Sequence, residues 1–268
     1  MQNKLNGIED TLYIPLVARI YVSKRFPNFF YDEKALSLLP YIPLNTIDNN
    51  SNEYYYMASV CRQYTIDQII KKFLIKHPKS NIVYLGAGLE TSYNRLNNDK
   101  AYFYQLDLPI VIKKRKEVLG KGRNEILLEG DLFLTSWVNH IDKSLPTLVV
   151  VAGVFQYYHE EKVVNFIREL AKCIPNGEIV FDITNSKGLK IANKYVKKTG
   201  NKEAEMHFCV DNPMSFAKKC DTKLLEVKGF FCDALANCKG LKFKTKIFMS
   251  FADKLQRTMI LHLKLGNK

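Results

Sequence analysis

Long apolar runs are missing from this sequence. The longest, residues 148–155, is far shorter than the ~20 residues that a membrane-spanning helix needs. The start of the chain also lacks the basic and then apolar layout of a secretion signal, because Glu9 and Asp10 precede the first apolar stretch. The sequence therefore predicts a cytoplasmic protein without a membrane partner.

The chain also has little of what metal sites and disulfide frameworks require. Its six cysteines include no Cys-x-x-Cys pair, and its five histidines form neither a His-x-His nor a His-x-x-x-His pattern. Zinc sites need ligands at short, regular spacings. Scattered cysteines are typical of buried thiols in a reducing compartment. We therefore expect neither a metal ion nor a disulfide.

The composition is that of a globular protein with an excess of positive charge. Of 268 residues, 47% are hydrophobic and 25% are charged, and 40 basic side chains outnumber 27 acidic ones, for a formal net charge of +13. This surplus suits either a nucleic-acid partner or a well-solvated surface. The densest basic cluster comprises Lys113, Lys114, Arg115, Lys116, Lys121 and Arg123. The lysine-rich stretch 187–246 has no aromatic-interleaved RNA-binding signature, so we favour the solvated surface.

Two helices are predicted before residue 79. Thr11 is a candidate N-cap of the first, which continues with an apolar series at helical spacing until Pro27 breaks it. The second spans residues 55–76, where apolar positions three and four residues apart indicate one buried face. A polar stretch at 48–52 forms the loop between them. Residues 1–78 are thus predicted to be an N-terminal helical cap with its entry helix.

After Pro78 short apolar strands alternate with helices. The predicted strands are 81–85, 101–106, 125–128, 148–152 and 178–183, with helices at 109–119 and 160–173. This alternation is typical of β-α-β units in a parallel sheet. Residues 224–231 and 258–265 would add an antiparallel pair. We predict an α/β fold with a doubly wound, mostly parallel, seven-stranded sheet over 79–268, and a substrate-side insertion at about 184–221.

Small and acidic residues follow four of these strands. They are Gly86-Ala87-Gly88, Asp107, Asp131 and Ala152-Gly153. Ligands of open parallel sheets bind at the carboxyl ends of the strands, where a Gly-x-Gly turn admits a ligand and a carboxylate can bind a ribose diol. The turn reads Gly-x-Gly-x-x-Thr, which lacks the third glycine of dinucleotide sites, and no P-loop exists. A nucleoside without phosphates, such as S-adenosylmethionine, fits best.

Several motifs together resemble those of a known family. They are Thr11-Leu12-Tyr13-Ile14-Pro15-Leu16 with Ala18-Arg19, Asp32-Glu33-Lys34-Ala35, Arg62 followed by Asp67, Asn81 to Thr91 with Arg95-Leu96, Leu106 to Ile112, Gly130-Asp131-Leu132 with Trp137, Gly153 to Tyr157, and Glu178 to Asp182. This set resembles the leucine carboxyl methyltransferase family, and most of all its tetracenomycin-type polyketide O-methyltransferase branch. The resemblance extends to about residue 230 and implies a Rossmann-like class I S-adenosylmethionine-dependent methyltransferase.

The resemblance also implies roles for individual residues. Arg62 would hold the methionine carboxylate of the cofactor, Asp107 the ribose hydroxyls and Asp131 the adenine. The full set that it implies for the cofactor is Arg62, Gly86, Ala87, Gly88, Asp107, Leu108, Asp131, Leu132, Ala152 and Gly153.

One position departs from the pattern. Many relatives have Ala-Glu-Gly after the fourth strand, whereas this chain has Val151-Ala152-Gly153. The substitution removes a carboxylate that would face the positive charges of the cofactor. A non-catalytic, cofactor-binding scaffold is therefore one alternative function.

Methyl transfer from a sulfonium mainly requires alignment and exclusion of water, and a hydroxyl acceptor also gains from a general base. The candidate bases are Tyr157, His159 and His207. The acceptor would contact the cap at Tyr13, Arg19 and Tyr21, together with the insertion. The predicted activity is O-methylation of a carboxyl or hydroxyl group on a small molecule such as a polyketide-like compound or an aryl acid. The other alternative is methylation of tRNA or of a protein C-terminal carboxylate.

Overall fold

A single seven-stranded sheet organises the molecule. The computed structural model describes residues 6–42, 52–199 and 205–266. The strands are β1 Asn81–Leu85, β2 Tyr102–Asp107, β3 Glu125–Glu129, β4 Thr147–Val151, β5 Glu178–Thr184, β6 Lys223–Gly229 and β7 Thr258–Lys264. Their order is β3-β2-β1-β4-β5-β7-β6, and β7 runs antiparallel to both its neighbours while β1 to β5 are parallel. The predicted fold class is confirmed.

The central strands are buried on both faces, which explains their continuous apolar sequences. Every residue of β1 and of β4 is buried. Side chains alternate across a strand, so Ile82 and Tyr84 join one core while Val83 and Leu85 join the other.

Ten α-helices surround the sheet in the described residues. They are α1 Asn6–Arg25, α2 Glu33–Ser37, α3 Glu53–Lys76, α4 Ser92–Leu96, α5 Pro109–Leu119, α6 Glu160–Cys173, α7 Ser186–Thr199, α8 Pro213–Lys219, α9 Cys232–Asn237 and α10 Phe243–Lys254. The core on one face contains α1, α3, α9 and α10, and the core on the other contains α6 and α8. No helix in these ranges is long and apolar enough to cross a membrane.

The helical predictions need three corrections. The first helix begins at Asn6, so Thr11 lies inside it rather than at its N-cap. The second begins at Glu53, because Asn52 caps it through a hydrogen bond from the backbone N–H of Tyr55. The rest of the predicted polar loop lies outside the described residues. Helix α10 was not predicted, since phenylalanines on its exposed side obscure the apolar period.

Arg115 does not belong to the basic surface cluster predicted from the sequence. It is 1% exposed, and its guanidinium donates to Glu125 Oε1 at 2.8 Å and to the carbonyl of Gly88 at 3.0 Å. Glu125 also accepts from the backbone N–H of Gly122 at 3.0 Å. This buried ion pair fastens α5 to β3 and to the glycine turn after β1.

Replacing Arg115 by methionine should therefore destabilise the protein. Removal of one partner leaves a buried, uncompensated charge on Glu125, which costs about 3–5 kcal/mol in the free energy of unfolding. Urea denaturation would measure the loss. The double variant Arg115→Met/Glu125→Gln should recover part of it, and Lys113→Met, at an exposed position of the same helix, should change the free energy of unfolding by less than about 0.5 kcal/mol. Equal urea midpoints for wild type and Arg115→Met would contradict the prediction.

Candidate functional site

The turn at Gly86-Ala87-Gly88, after β1, has a backbone conformation and close neighbours that favour glycine. Gly86 and Gly88 have φ angles of +70° and +49°, a region that favours glycine. A Cβ atom at Gly86 would lie 2.5 Å from Cγ2 of Val154, so a larger residue there would displace this neighbour. The backbone N–H groups of Gly86 and Ala87 both donate to the carbonyl of Leu106, at 2.9 and 3.1 Å. The turn is thereby fixed against the end of β2.

Asp107, at the end of β2, joins this turn. Its Oδ2 accepts from the backbone N–H of Gly88 and its Oδ1 from that of Leu108, both at 2.8 Å. Burial raises the pKa of Asp107, although these two hydrogen bonds counteract the shift. Leu108 itself is exposed. The carboxylate is therefore oriented while retaining acceptor capacity for a ligand.

The end of β3 combines a carboxylate with aromatic rings. Asp131 is exposed, and its Oδ1 accepts from the backbone N–H of Phe133 at 2.9 Å. Leu132 is buried, and its carbonyl accepts from Trp137 Nε1 at 3.2 Å. The rings of Phe133 and Tyr158 meet edge to face with centroids 4.5 Å apart. Together these residues form an apolar surface, called here the aromatic wall, beside an acidic group.

Sequence reasoning missed Phe133 and Tyr158. Burial raises the pKa of Tyr158, and the charges of Asp131 and Asp107 raise it further. The Nζ of Lys162 lies 4.0 and 4.5 Å from the centroids of the two rings. The sequence could have indicated them by position, because Phe133 directly follows Asp131-Leu132 and Tyr158 directly follows Tyr157.

At the end of β4, Arg62 of α3 covers Gly153. A Cβ atom at Gly153, which has a φ angle of +73°, would lie 2.7 Å from Arg62 Nη1. Arg62 Nη1 lies 3.4 Å from Oδ2 of Asp182, and Asp182 Oδ1 accepts from the backbone N–H of Gly153 at 2.5 Å. The Nε of Arg62 is buried and, among the described residues, has no hydrogen-bond partner. A guanidinium with unused donor capacity thus lies at this strand end.

The pairing register explains why these groups converge. Leu85 of β1 pairs with Leu106 of β2, and Asp107 pairs with Glu129 of β3. β4 lies on the other side of β1 in the same orientation. Four neighbouring strand ends therefore span about 14 Å, three interstrand spacings. The structure thus brings together the ends of β1 to β4, as the sequence predicted.

Behind the glycine turn lies a buried network of charges. Arg95 is within 3.1 Å of Asp67, Asp32 and Glu90. Arg19 is 3.0 Å from Asp32 and 3.5 Å from Glu90. Two guanidinium groups thus face three carboxylates, away from solvent.

The predicted acceptor-binding residues of the cap occupy different environments. Arg19 is 3% exposed and donates to the carbonyl of Leu89 at 2.6 Å, so its side chain is buried within the charge network. Tyr13 is buried in the cluster that α1 forms with α2 and Leu89. Tyr21 is half-buried and stacks on Tyr56 with ring centroids 4.6 Å apart. Of the three, Tyr21 has the most accessible surface.

The candidate bases lie on the solvent-exposed rim of the site, after the end of β4. Tyr157 is 38% exposed in a short 3-10 helix after β4. His159 is exposed and stacks on His207, with ring centroids 4.5 Å apart. The backbone N–H of His207 donates to the carbonyl of Gln156 at 2.7 Å, which returns the insertion to this rim. No cluster of three or more possible metal ligands occurs in the part of the chain that the structure describes.

Two further residues with polar atoms that are unpaired among the described residues lie at the start of β7. They follow the part of the sequence, up to about residue 230, that resembles the family. Thr258 pairs with Thr184 at the end of β5, and Thr184 Oγ1 donates to the carbonyl of Arg257 at 2.7 Å. Arg257 Nε and Thr258 Oγ1 are buried and lack a hydrogen-bond partner within the described ranges. Burial raises the pKa of Tyr54, and the charge of Arg257 partly offsets this. No motif in the sequence marked these residues.

A seven-stranded sheet of this order, with its polar groups at the carboxyl ends of the strands, defines the class I methyltransferases. A putative methyltransferase from Thermobifida fusca YX has a TM-score of 0.59 and 16% identity, covering 93% of this chain and 94% of that one. Magnesium protoporphyrin IX methyltransferase from Synechocystis PCC 6803, solved with bound SAH, has a TM-score of 0.51 and 15% identity, covering 82% and 90%.

The chain belongs to the leucine carboxyl methyltransferase family, whose model matches residues 18–171. It is also 23% identical, over 217 residues, to the tetracenomycin polyketide synthesis O-methyltransferase TcmP of Streptomyces glaucescens, covering 81% of this chain and 80% of that protein. The resemblance inferred from the motifs is confirmed. The chain is an S-adenosylmethionine-dependent O-methyltransferase by class.

The charge network makes stability depend on pH through Glu90. Burial alone would raise the pKa of Glu90, but Arg95 and Arg19, with further hydrogen bonds, lower it from 4.5 to about 2. The Glu90 carboxylate therefore stabilises the fold above pH 4.5 and loses this contribution as the pH falls from 4.5 towards 2. Asp67, whose pKa burial raises despite Arg95, opposes this trend.

Glu90→Gln should accordingly lower the free energy of unfolding near neutral pH by about 3 kcal/mol, since each pKa unit corresponds to about 1.4 kcal/mol. The variant should also lose less stability than wild type on acidification. Urea unfolding at a series of pH values measures both effects. Glu117→Gln, at an exposed site on α5, should follow the wild-type curve. Parallel curves for Glu90→Gln and wild type would show that Glu90 carries no such linkage.

Proposed function

We propose that this chain methylates a carboxyl or hydroxyl oxygen of a small molecule, such as a polyketide-like compound or an aryl acid. The observation that carries the proposal is the convergence of a glycine turn, an oriented aspartate, an aromatic wall and an arginine at four adjacent strand ends. The family membership of the chain, and its similarity to the tetracenomycin polyketide synthesis O-methyltransferase TcmP, support this substrate class.

The residues at these strand ends fit S-adenosylmethionine. Asp107 would accept hydrogen bonds from the ribose diol, while Leu132 and Tyr158 would contact the adenine ring and Asp131 its amino group. The glycine turn lets the backbone approach the middle of the cofactor. The unused Nε donor of Arg62 suits the methionine carboxylate. When bound, the cofactor supplies a methyl group already activated by a positive sulfur.

The acceptor would lie between the cap and the start of β7. Arg257 and Thr258 offer buried donors that lack partners within the described ranges, and Tyr21 offers an aromatic surface. A guanidinium and a hydroxyl together suit an acceptor that carries oxygen atoms. These residues would align the acceptor oxygen and exclude water, which are the main requirements of the reaction.

Replacing Asp107 by alanine should weaken cofactor binding strongly. The change removes two charge-assisted hydrogen bonds to the ribose, so the dissociation constant of S-adenosylhomocysteine should rise at least about a hundredfold. Isothermal titration calorimetry would measure it. Asp99→Asn, an exposed position after α4, serves as the control and should bind as wild type does. Undiminished binding by Asp107→Ala would place the cofactor elsewhere.

Of the three proposed bases, His159 is chosen for the test. Its ring is exposed and stacks on that of His207. A positioned base contributes roughly a hundredfold or more to proton transfer. His159→Gln should lower kcat by about that factor with phenolic acceptors but leave carboxylic acceptors unchanged, since a carboxylate has no proton to lose. Rates over a pH series for both acceptor types would show the split. Equal losses with both, or a similar loss in the exposed control His140→Gln, would remove His159 from this role.

The acceptor class itself needs a direct screen. Transfer of a labelled methyl group to aryl acids, polyketide-like phenols and bulk tRNA would be compared with the same enzyme preparation. We expect labelling of the small molecules. Labelling of tRNA alone, with affinity falling steeply as salt rises, would instead support a nucleic-acid substrate and a role for the basic surface.

A further inference from the structure

The carboxylate missing from the end of β4 has a counterpart on the next strand. β4 and β5 are parallel with Val151 opposite Phe181, and the same register places Asp182 beside Ala152. Paired residues in a sheet project to the same face, and Ala152 packs into the core that contains α3. The carboxylate of Asp182 and the methyl group of Ala152 therefore lie on the same face of the sheet, one strand apart.

Asp182 is held firmly in this position. It is 9% exposed, and its Oδ1 accepts from the backbone N–H of Gly153 at 2.5 Å. Its Oδ2 lies 3.4 Å from Arg62 Nη1, a long contact for a charge-assisted hydrogen bond. Burying a carboxylate is costly unless it is well paired. Asp182 thus retains capacity to accept from a second cation.

Arg62 and Asp182 consequently present opposite charges side by side at the end of β4. The guanidinium covers Gly153 and has an unused Nε donor, while the carboxylate lies beside it. The amino-acid end of S-adenosylmethionine carries the complementary pair, a carboxylate and an ammonium on one carbon atom. The two arrangements match in sign and number of charges.

We propose that Arg62 and Asp182 form a paired subsite for this zwitterionic end, in which Asp182 binds the ammonium and so replaces the acidic residue absent at position 152. The inference rests on the proposed function, because it assumes that S-adenosylmethionine binds at these strand ends. It also removes the reason to treat the alanine at 152 as a mark of lost activity.

Three probes separate the contributions to binding. S-adenosylhomocysteine has both the carboxylate and the ammonium, its deaminated analogue keeps only the carboxylate, and methylthioadenosine has neither. Isothermal titration calorimetry with each probe would be performed on wild type and on Asp182→Asn. Asparagine preserves an oxygen for the Gly153 N–H but removes the charge.

Asp182→Asn should weaken binding of S-adenosylhomocysteine about tenfold or more, because the ammonium loses a charge-assisted hydrogen bond. Binding of the deaminated analogue and of methylthioadenosine should change less than about twofold, because neither has an ammonium to lose. Arg62→Gln should weaken both carboxylate-bearing probes and leave methylthioadenosine unaffected. This pattern is not expected from a purely structural defect, which would weaken all three probes together.

A rescue experiment tests the replacement directly. Introducing Ala152→Glu into the Asp182→Asn variant should restore most of the affinity for S-adenosylhomocysteine. Glu178→Gln is the matched control, because it removes a carboxylate from the opposite end of β5, where Glu178 contacts His262 at 2.8 Å. It should leave the affinity for all three probes unchanged.

The outcomes distinguish the two proposals. If wild type binds S-adenosylhomocysteine but Asp182→Asn weakens every probe equally, or none, the ammonium subsite is wrong while the proposed function stands. If wild type binds none of the three probes, the proposed function fails and the subsite with it. Circular dichroism of each variant would establish that the fold is retained.

Discussion

The parallel alignment of β1, β2, β3 and β4 is the constraint on which the proposed site depends. Each strand contributes two or three residues at its carboxyl end, and none of these residues could bind a cofactor alone. The sheet places them within about 14 Å because interstrand spacing is fixed by backbone hydrogen bonds. The apolar, fully buried sequences of β1 and β4 secure this alignment. Packing of the core therefore determines the geometry of the chemistry.

Much of this architecture could be predicted because its signals are local. Strand β1 and helices α5 and α6 have the predicted limits, since a continuous apolar strand or a strong helical period ends at a clear turn. The strand-end residues were also identifiable, because parallel sheets place their ligands at one edge. The comparisons confirm the family, the enzyme class and the fold. The individual roles at the site, the acceptor and the division into cap and sheet domain stay predictions.

Other features depend on tertiary contacts that one sequence does not reveal. Arginine is usually exposed to solvent, yet Arg19 and Arg115 are both buried. Each forms an ion pair with a carboxylate from another segment of the chain. Asp182 pairs with Arg62 across 120 positions of sequence. Helix α10 exposes Phe243, Phe248 and Phe251, which breaks the pattern that identifies a helix from its buried face. Burial of charge and exposure of apolar residues are both set by partners that lie far away in the chain.

The charge network behind the glycine turn constrains how a substrate can reach the site. Arg19 on α1 shares Asp32 and Glu90 with Arg95, so swinging α1 outward would strand several ions in an apolar interior. These ion pairs consequently hold α1 in place. An acceptor would then enter at the margin where Tyr157, His159 and His207 face solvent. The width of that margin, instead of any movement of the cap, would limit the size of molecule that the protein admits.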